Sequence, residues 1–305
     1  MRHRLHSKDL SYDEILGLLD RATGFLKTVR GRERLNLAEG KILATLFYEP
    51  STRTRFSFET AMLRLGGHVI SNADMGATSS AKKGESLFDT AKMVSTFADV
   101  IAMRHPVAGS VAEFSTGSSV PVANAGDGAG DHPSQGLLDL FTVQQEKGTL
   151  DGLTWVMVGD LKNSRVVHSQ CTYLAHFKGN KFVFVSPEAL KMPAEIVESL
   201  RAQGFEVKET EDLESVMGEA DVLSDTRIQE ERFASPEEFK KYFGVYVLTP
   251  ALMAKAKKDM IVIDPLPRVN HIDPAVDNDP RAKYFAQAEY GVAMRMAILA
   301  ELLGL

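Results

Sequence analysis

Short apolar runs alternate with amphipathic stretches along the whole chain. Residues 42–47, 69–71, 100–103 and 120–124 have the length and content of buried strands. In the second half the strand candidates are 155–159, 182–186, 205–207, 222–223, 245–248 and 261–263. Apolar positions at helical spacing predict helices over 12–29, 56–65, 86–97, 135–145, 165–178, 193–203 and 250–257, with a last amphipathic helix over 292–303. Such alternation predicts the α/β class, with parallel sheets flanked by helices. At 305 residues the chain has room for two domains of ordinary size. The stretch 135–147, with Leu138 and Phe141 on one face, reads as a helix joining two halves.

Open α/β sheets bind ligands outside the carboxyl ends of their strands, so the residues just after each strand carry the chemistry. After 42–47 comes Glu49-Pro50-Ser51-Thr52-Arg53-Thr54-Arg55, at the turn into a helix. Free N–H groups at a helix N-terminus favour an anion, and hydroxyls and guanidinium groups add donors around it. The other reading is an ordinary N-cap hydroxyl followed by solvated arginines, and this stretch alone leaves both open. Later strands are followed by Arg104-His105-Pro106, by Gly126-Asp127-Gly128 with Asp131-His132-Pro133-Ser134-Gln135, and by Asp160, Lys162 and Arg165. Thr226-Arg227-Ile228-Gln229 and Asp264-Pro265-Leu266-Pro267-Arg268 complete the set. Basic residues thus follow five strands, which suggests a cleft for an anion of more than one charge.

The net charge of −6 makes that clustering stand out, and it argues against a general nucleic-acid binder. No apolar run approaches 18 residues and no signal-peptide pattern is present, so the expectation is a soluble cytoplasmic protein that does not associate with membranes. Cys171 is the only cysteine, which rules out an internal disulfide and a Cys-rich zinc site. Gly126–Gly130 does not match Gly-x-Gly-x-x-Gly, and neither His-Glu-x-x-His nor Gly-x-Ser-x-Gly occurs. Neither a cofactor nor a metal is expected. Residues 78–85 read as a mobile polar loop or as a flap that brings Lys82 and Lys83 to a site.

Together these segments resemble the aspartate carbamoyltransferase family over nearly the whole chain. The likeness is carried by Phe47 through Glu59, by Lys82-Lys83-Gly84-Glu85, by Met103-Arg104-His105-Pro106, by Asn124 through Gly128 with His132 through Gln135, by Gly159-Asp160-Leu161-Lys162, by Thr226 through Gln229 with Glu231-Arg232-Phe233, and by Pro265 through Arg268. Ser-Thr-Arg-Thr-Arg is shared by transcarbamylases in general, whereas the Lys-Lys-Gly-Glu loop and Pro-Leu-Pro-Arg point to the aspartate branch. The His-Cys-Leu-Pro and Ser-Met-Gly segments expected of an ornithine enzyme are not in the sequence.

The resemblance implies a carbamoyl-phosphate domain over 1–134, with a helix over 291–305 packing back on it, and an aspartate domain over 135–290. It implies a homotrimer with shared active sites, and it leaves open a regulatory chain or a dihydroorotase partner. By the same resemblance, Ser51, Thr52, Arg53, Thr54 and Arg104 hold the phosphate. His132, with Arg104 and Thr54, meets the carbonyl oxygen, Gln135 binds the amide nitrogen, and backbone groups of Leu266 and Pro267 complete that pocket. Arg165, Arg227 and Gln229 hold the aspartate carboxylates, and Ser79 and Lys83 enter from a neighbouring chain. The implied activity is carbamoyl transfer from carbamoyl phosphate to L-aspartate. The alternatives are transfer to another amine and a non-catalytic anion-binding protein of the same fold. Three places depart from the family pattern: Asp264 stands where His usually precedes Pro-Leu-Pro, Ser224-Asp225 stands where Tyr and a hydrophobic residue usually precede Thr-Arg, and Asn163-Ser164 precedes Arg165. The two new carboxylates are expected to point away from the pocket or to pair with basic groups.

Overall fold

The computed structural model describes residues 2–78, 84–230, 233 and 235–305. The chain divides into two compact units, one of residues 1–141 with 288–305 and one of residues 142–287.

The first unit carries four parallel strands, β1 (Ile42–Phe47), β2 (His68–Asn72), β3 (Val100–His105) and β4 (Val122–Asp127), in the order β2-β1-β3-β4. Its helices are α1 (Tyr12–Arg30), α2 (Thr52–Leu65), α3 (Met75–Thr78), α4 (Leu87–Val94) and α5 (Ser110–Gly117). α1 opens with a capping box, in which Ser11 N–H donates to the Glu14 carboxylate at 2.7 Å and Glu14 N–H donates to Ser11 Oγ at 3.4 Å. Ala44, Leu46, Ile101, Met103, Phe114 and Val122 lie in one buried apolar cluster of this unit. Two longer helices continue past its boundary, α6 (Pro133–Lys147) and α11 (Tyr284–Leu302). α11 begins eight residues before the periodic stretch that predicted it, because Gln287, Glu289 and Gly291 break the apolar spacing of its first turns.

The second unit has five parallel strands, β5 (Thr154–Gly159), β6 (Lys181–Val185), β7 (Glu206–Thr210), β8 (Val222–Thr226) and β9 (Ile261–Ile263), in the order β7-β6-β5-β8-β9. Between them lie α7 (Arg165–Leu174), α8 (Ala194–Ala202), α9 (Pro236–Lys240) and α10 (Pro250–Met253). The expected strand at 245–248 does not form. Val245 is 48% exposed, and Leu248 makes one isolated bridge to Ile272. Its apolar content comes from an irregular segment in which Leu248 enters the core and Tyr246 packs against it. β7 sits later than expected because an edge strand exposes charged residues such as Glu206.

Each sheet reverses its strand order once. The first does so between β1 and β3, the second between β5 and β8. These are the points where an open α/β sheet forms its ligand crevice, at the carboxyl ends of the strands.

Candidate active site

At the first switch point β1 runs out into Tyr48-Glu49-Pro50 and turns into α2. Ser51 occupies the N-cap with an extended backbone, yet its side chain makes no cap hydrogen bond among the described residues, and the first turn holds no acidic residue. Such a helix start, with neither a side-chain cap nor an acidic residue in its first turn, suits an anion. Thr52 and Arg53 are exposed and Thr54 is buried. Arg55 turns elsewhere: its Nη1 donates to Ser71 Oγ at 3.2 Å and it lies 3.8 Å from the Glu59 carboxylate, which ties α2 to β2. Of the two motif arginines, Arg53 is thus the one left beside the anion donors.

Register brings Arg104 to the same place. Phe47 pairs with Arg104 across β1 and β3, and Tyr48 N–H donates to the Arg104 carbonyl at 2.9 Å. The Arg104 guanidinium pairs with the Glu49 carboxylate. Tyr48 packs its ring on His105 at 4.7 Å, and burial lowers the His105 pKa. A further loop follows β4. Gly128, at φ 56°, donates its N–H to the His105 carbonyl at 2.8 Å, and a Cβ there would lie 2.4 Å from Ala108 N. Ser7 N–H and Oγ both donate to the Asp131 carboxylate at 2.6 Å, which holds this loop from the chain's N-terminal segment.

The loop delivers His132 and Gln135 to the start of α6. Both are buried, with Ser134 Oγ 3.5 Å from His132 Nδ1. Gln135 Nε2 donates to Asp139 Oδ1 at 2.8 Å, one helical turn away. That bond assigns the amide's donor end to Asp139 and turns Gln135 Oε1 into the end available to accept from a substrate N–H. Behind Asp139 lies the fully buried Arg295, with its guanidinium 5.1 Å from the Phe58 ring centroid. Burial pulls the Arg295 pKa down to about 10 and the Asp139 charge opposes the fall, so Arg295 stays charged at neutral pH.

At the second switch point, Gly159 ends β5 opposite Thr226 of β8. Its φ is +117°, and a Cβ there would lie 1.8 Å from the Thr226 carbonyl oxygen. Only glycine lets these two strand ends close up. Ser164 Oγ lies 3.2 Å from Thr226 Oγ1, joining the start of α7 to the end of β8. Arg165 is the first residue of α7, while Arg227 and Gln229 follow β8. All three are partly exposed.

The departures from the family pattern have partners. Asn163 Nδ2 donates to Asp160 Oδ1 at 3.0 Å, and Ser224 Oγ donates to Gln170 Oε1 at 3.0 Å. Asp264, 3% exposed, pairs through Oδ2 with His271 Nε2 at 2.7 Å, so the expectation that it pairs with a basic group holds. Asp225 is equally buried. Its carboxylate, that of Asp264 and the His271 ring converge to within 4.8 Å. Burial pushes the Asp225 pKa up to about 7, with His271 opposing and Asp264 adding to the rise. Burial would lower His271, but its bond to Asp264 and the charges of Asp225 and Asp264 outweigh that, and its pKa is raised. The three donors are close enough for a cation, but both Asp264 oxygens are engaged, one by His271 and one by Leu266 N–H.

Within the first unit, the fold gathers Ser51, Thr52, Arg53, Thr54 and Arg104 at one switch point. Within the second it gathers Arg165, Arg227 and Gln229 at the other, with Leu266 and Pro267 following β9. Ser79 and Lys83, with Glu231 and Arg232 of the family motif, lie outside the described residues. Sequence reasoning overlooked Glu49, Asp139 and His271. Asp139 had a signal, as a carboxylate four residues after Gln135 and flanked by the apolar Leu137, Leu138, Leu140 and Phe141. His271 had none, since its partner lies seven residues away across a loop.

Residues 2–145 match the family model described as aspartate/ornithine carbamoyltransferase, carbamoyl-P binding domain, and residues 151–302 match the model of its Asp/Orn binding domain. The chain is 49% identical over 303 residues to the aspartate carbamoyltransferase catalytic subunit of Archaeoglobus fulgidus, covering 99% of both chains. It is similar to the crystallised catalytic subunit of M. jannaschii aspartate transcarbamoylase, with a TM-score of 0.93 at 47% identity, over 100% of this chain and 98% of that one. It is also similar to aspartate transcarbamoylase from Trypanosoma cruzi in complex with carbamoyl phosphate and aspartate, with a TM-score of 0.92 at 39% identity, over 98% and 95% of the two chains.

Proposed function

The chain belongs to the aspartate/ornithine carbamoyltransferase family, and from that premise we propose that it transfers the carbamoyl group of carbamoyl phosphate to the amine of L-aspartate, releasing N-carbamoyl-L-aspartate and phosphate. The observation that carries this reading is the uncapped start of α2, set at the end of β1 beside Arg104. Ser51, Thr52, Arg53, Thr54 and Arg104 hold the phosphate. Thr54, Arg104 and His132 meet the carbonyl oxygen, and Gln135 with the backbone of Leu266 and Pro267 holds the amide. Arg165, Arg227 and Gln229 hold the two carboxylates of aspartate, and Lys83 is supplied by a neighbouring chain.

The chemistry asks for little else. The neutral amine attacks the carbamoyl carbon, a C–N bond forms and the C–O bond to phosphorus breaks. The departing phosphate takes up the proton that the amine gives up. Negative charge grows on the carbonyl oxygen and then on the phosphate, and removing one preorganised donor to such charge typically costs about 3 to 4 kcal/mol. Arginines suit both ends because a guanidinium fork matches phosphate and carboxylate oxygens two at a time. Pairing of Asp264 with His271 favours aspartate over a cationic amine, since it leaves less negative charge to attract one.

We place the enzyme in the cytoplasm as a homotrimer with shared sites. Among the described residues no helix is long and apolar enough to cross a membrane. The exposed Phe88, Met93 and Phe97 support an association surface on the first unit. Assay of carbamoyl phosphate with aspartate, ornithine and related amines is expected to give N-carbamoyl-L-aspartate alone. Turnover with another amine and none with aspartate would sink the assignment. Tight binding of a bisubstrate phosphonate without turnover would identify a non-catalytic protein. Mixed Lys83→Ala and His132→Ala chains should regain activity in hybrid trimers, and trimers that stay inactive would refute the shared site.

A further inference from the structure

The loop after β9 carries Leu266 and Pro267 but has little sheet to hold it. β9 is three residues long and lies at the edge of its sheet. Leu266 adopts φ 56°, a left-handed conformation that costs a residue with a side chain about 1 kcal/mol or more. Such a conformation persists when its surroundings over-determine it. Here the Leu266 side chain packs against the core cluster of the second unit, and a carboxylate holds its backbone. Asp264 Oδ1 accepts from Leu266 N–H, and Oδ2 pairs with His271 Nε2 at 2.7 Å, on the far side of the loop. Both ends are anchored independently. Asp264 N–H donates to Gln287 Oε1 at 3.0 Å, and the His271 carbonyl accepts from Leu248 N–H at 2.7 Å. The pair therefore closes the base of loop 265–270 while touching its turn directly.

The buried charges are balanced locally. Asp225, on β8, faces both members of the pair, and Arg227 lies close enough for its charge to act on His271. A lone buried carboxylate is costly, and two side by side are more so. His271, with the charge of Arg227 close by, opposes the two carboxylates, and the cluster links the exits of β8 and β9.

We infer that Asp264 and His271 are positioning residues, a buried clasp that presents the Leu266–Pro267 backbone to carbamoyl phosphate, with Asp225 set against both. This rests on the carbamoyl-transfer reading of the site. The clasp acts through the loop, so its loss should appear in substrate affinity more than in the chemical step.

The test compares the unsubstituted enzyme with Asp264→Asn, His271→Gln and the double exchange Asp264→His with His271→Asp. The two single variants are expected to raise KM for carbamoyl phosphate about tenfold, the effect of losing one charge-assisted hydrogen bond. Their kcat at saturation should fall by less than about threefold, the signature of lost binding. The double exchange rebuilds an opposite-charge pair and should recover most of the loss. Hydrogen exchange over 264–271 should be faster in Asp264→Asn and slow again in the exchange variant. Single variants with unchanged KM would overturn the inference, as would an exchange variant that folds to the native melting temperature yet performs no better than the singles. If the exchange variant does not fold, Asp264→Glu takes its place and must retain more affinity than Asp264→Asn. A stoichiometric metal ion in the purified enzyme, lost in Asp264→Asn, would also overturn the clasp. An unsubstituted enzyme that makes no N-carbamoyl-L-aspartate would instead refute the reaction, while exchange at 264–271 would still read the clasp itself.

Discussion

Replacing Asp225 with asparagine should stabilise the protein at pH 8 and bring no gain near pH 4. The side chain is 3% exposed, and burial above all, with Asp264 adding and His271 opposing, moves its pKa from 3.8 to about 7. Between those two values the folded state holds the Asp225 proton while the unfolded chain has released it. Stability contributed by this group is thus fully present below 3.8 and declines as pH rises to about 7. At about 1.4 kcal/mol per pH unit over that span, the loss amounts to ~4 kcal/mol. His271 acts in the same direction, since its raised pKa gives stability at low pH that fades as it deprotonates. Asparagine keeps the shape without the ionisation. With about 2–4 °C of melting temperature per kcal/mol in a unit of this size, the variant should melt about 8 °C or more above the unsubstituted protein at pH 8. Calorimetric melting of both proteins from pH 4 to pH 8 reads the difference, which includes the change at His271 when the neighbouring charge is removed. Parallel pH profiles, or a variant less stable than the parent at pH 8, would refute the reasoning.

Gly159→Ala places a Cβ 1.8 Å from the Thr226 carbonyl oxygen at a φ of +117°, so it should cost about 3 kcal/mol or more and raise KM for aspartate by displacing Arg227, both measurable by denaturation and kinetics. Arg104→Lys keeps the charge but loses the fork. KM for carbamoyl phosphate should rise about tenfold with the melting temperature nearly unchanged, and unaltered kinetics would remove Arg104 from the site. Asp139→Ala frees the Gln135 amide to turn over and leaves Arg295 without its counter-charge. It should lose stability by about 3 kcal/mol along with activity, whereas Gln135→Ala should lose activity alone, and equal melting temperatures for the two would contradict the charge role of Asp139 beside Arg295.

Much of the fold was legible because burial imposes it on residue type. The runs that became β1, β5 and β9 are almost wholly apolar and buried, as strands covered on both faces tend to be. β7 was misplaced and 245–248 misassigned for the opposite reason. An edge strand such as β7 accepts Glu206, Lys208 and Glu209, and a turn accepts Val245, so composition stops reporting pairing there. The anion site could be read because its donors lie within a few residues of one strand end, and Arg104 enters by the register between β1 and β3. What stayed hidden depends on contacts across a loop or a helix turn. That Asp264 pairs with a basic group was expected, but that the group is His271 was not legible, and neither was the tie of Arg55 to Ser71 and Glu59.

The open start of α2 also makes the reaction product a folding ligand. A helix whose N-cap side chain makes no cap hydrogen bond among the described residues, and whose first turn has no acidic residue, gains stability from a bound anion. Inorganic phosphate should therefore raise the melting temperature, with a stabilisation that grows logarithmically with its concentration and reaches about 2.7 kcal/mol at a hundredfold excess over its dissociation constant. The same binding makes phosphate compete with carbamoyl phosphate. Product inhibition and thermal protection are then two readings of one helix end, and Arg53→Ala should weaken both together.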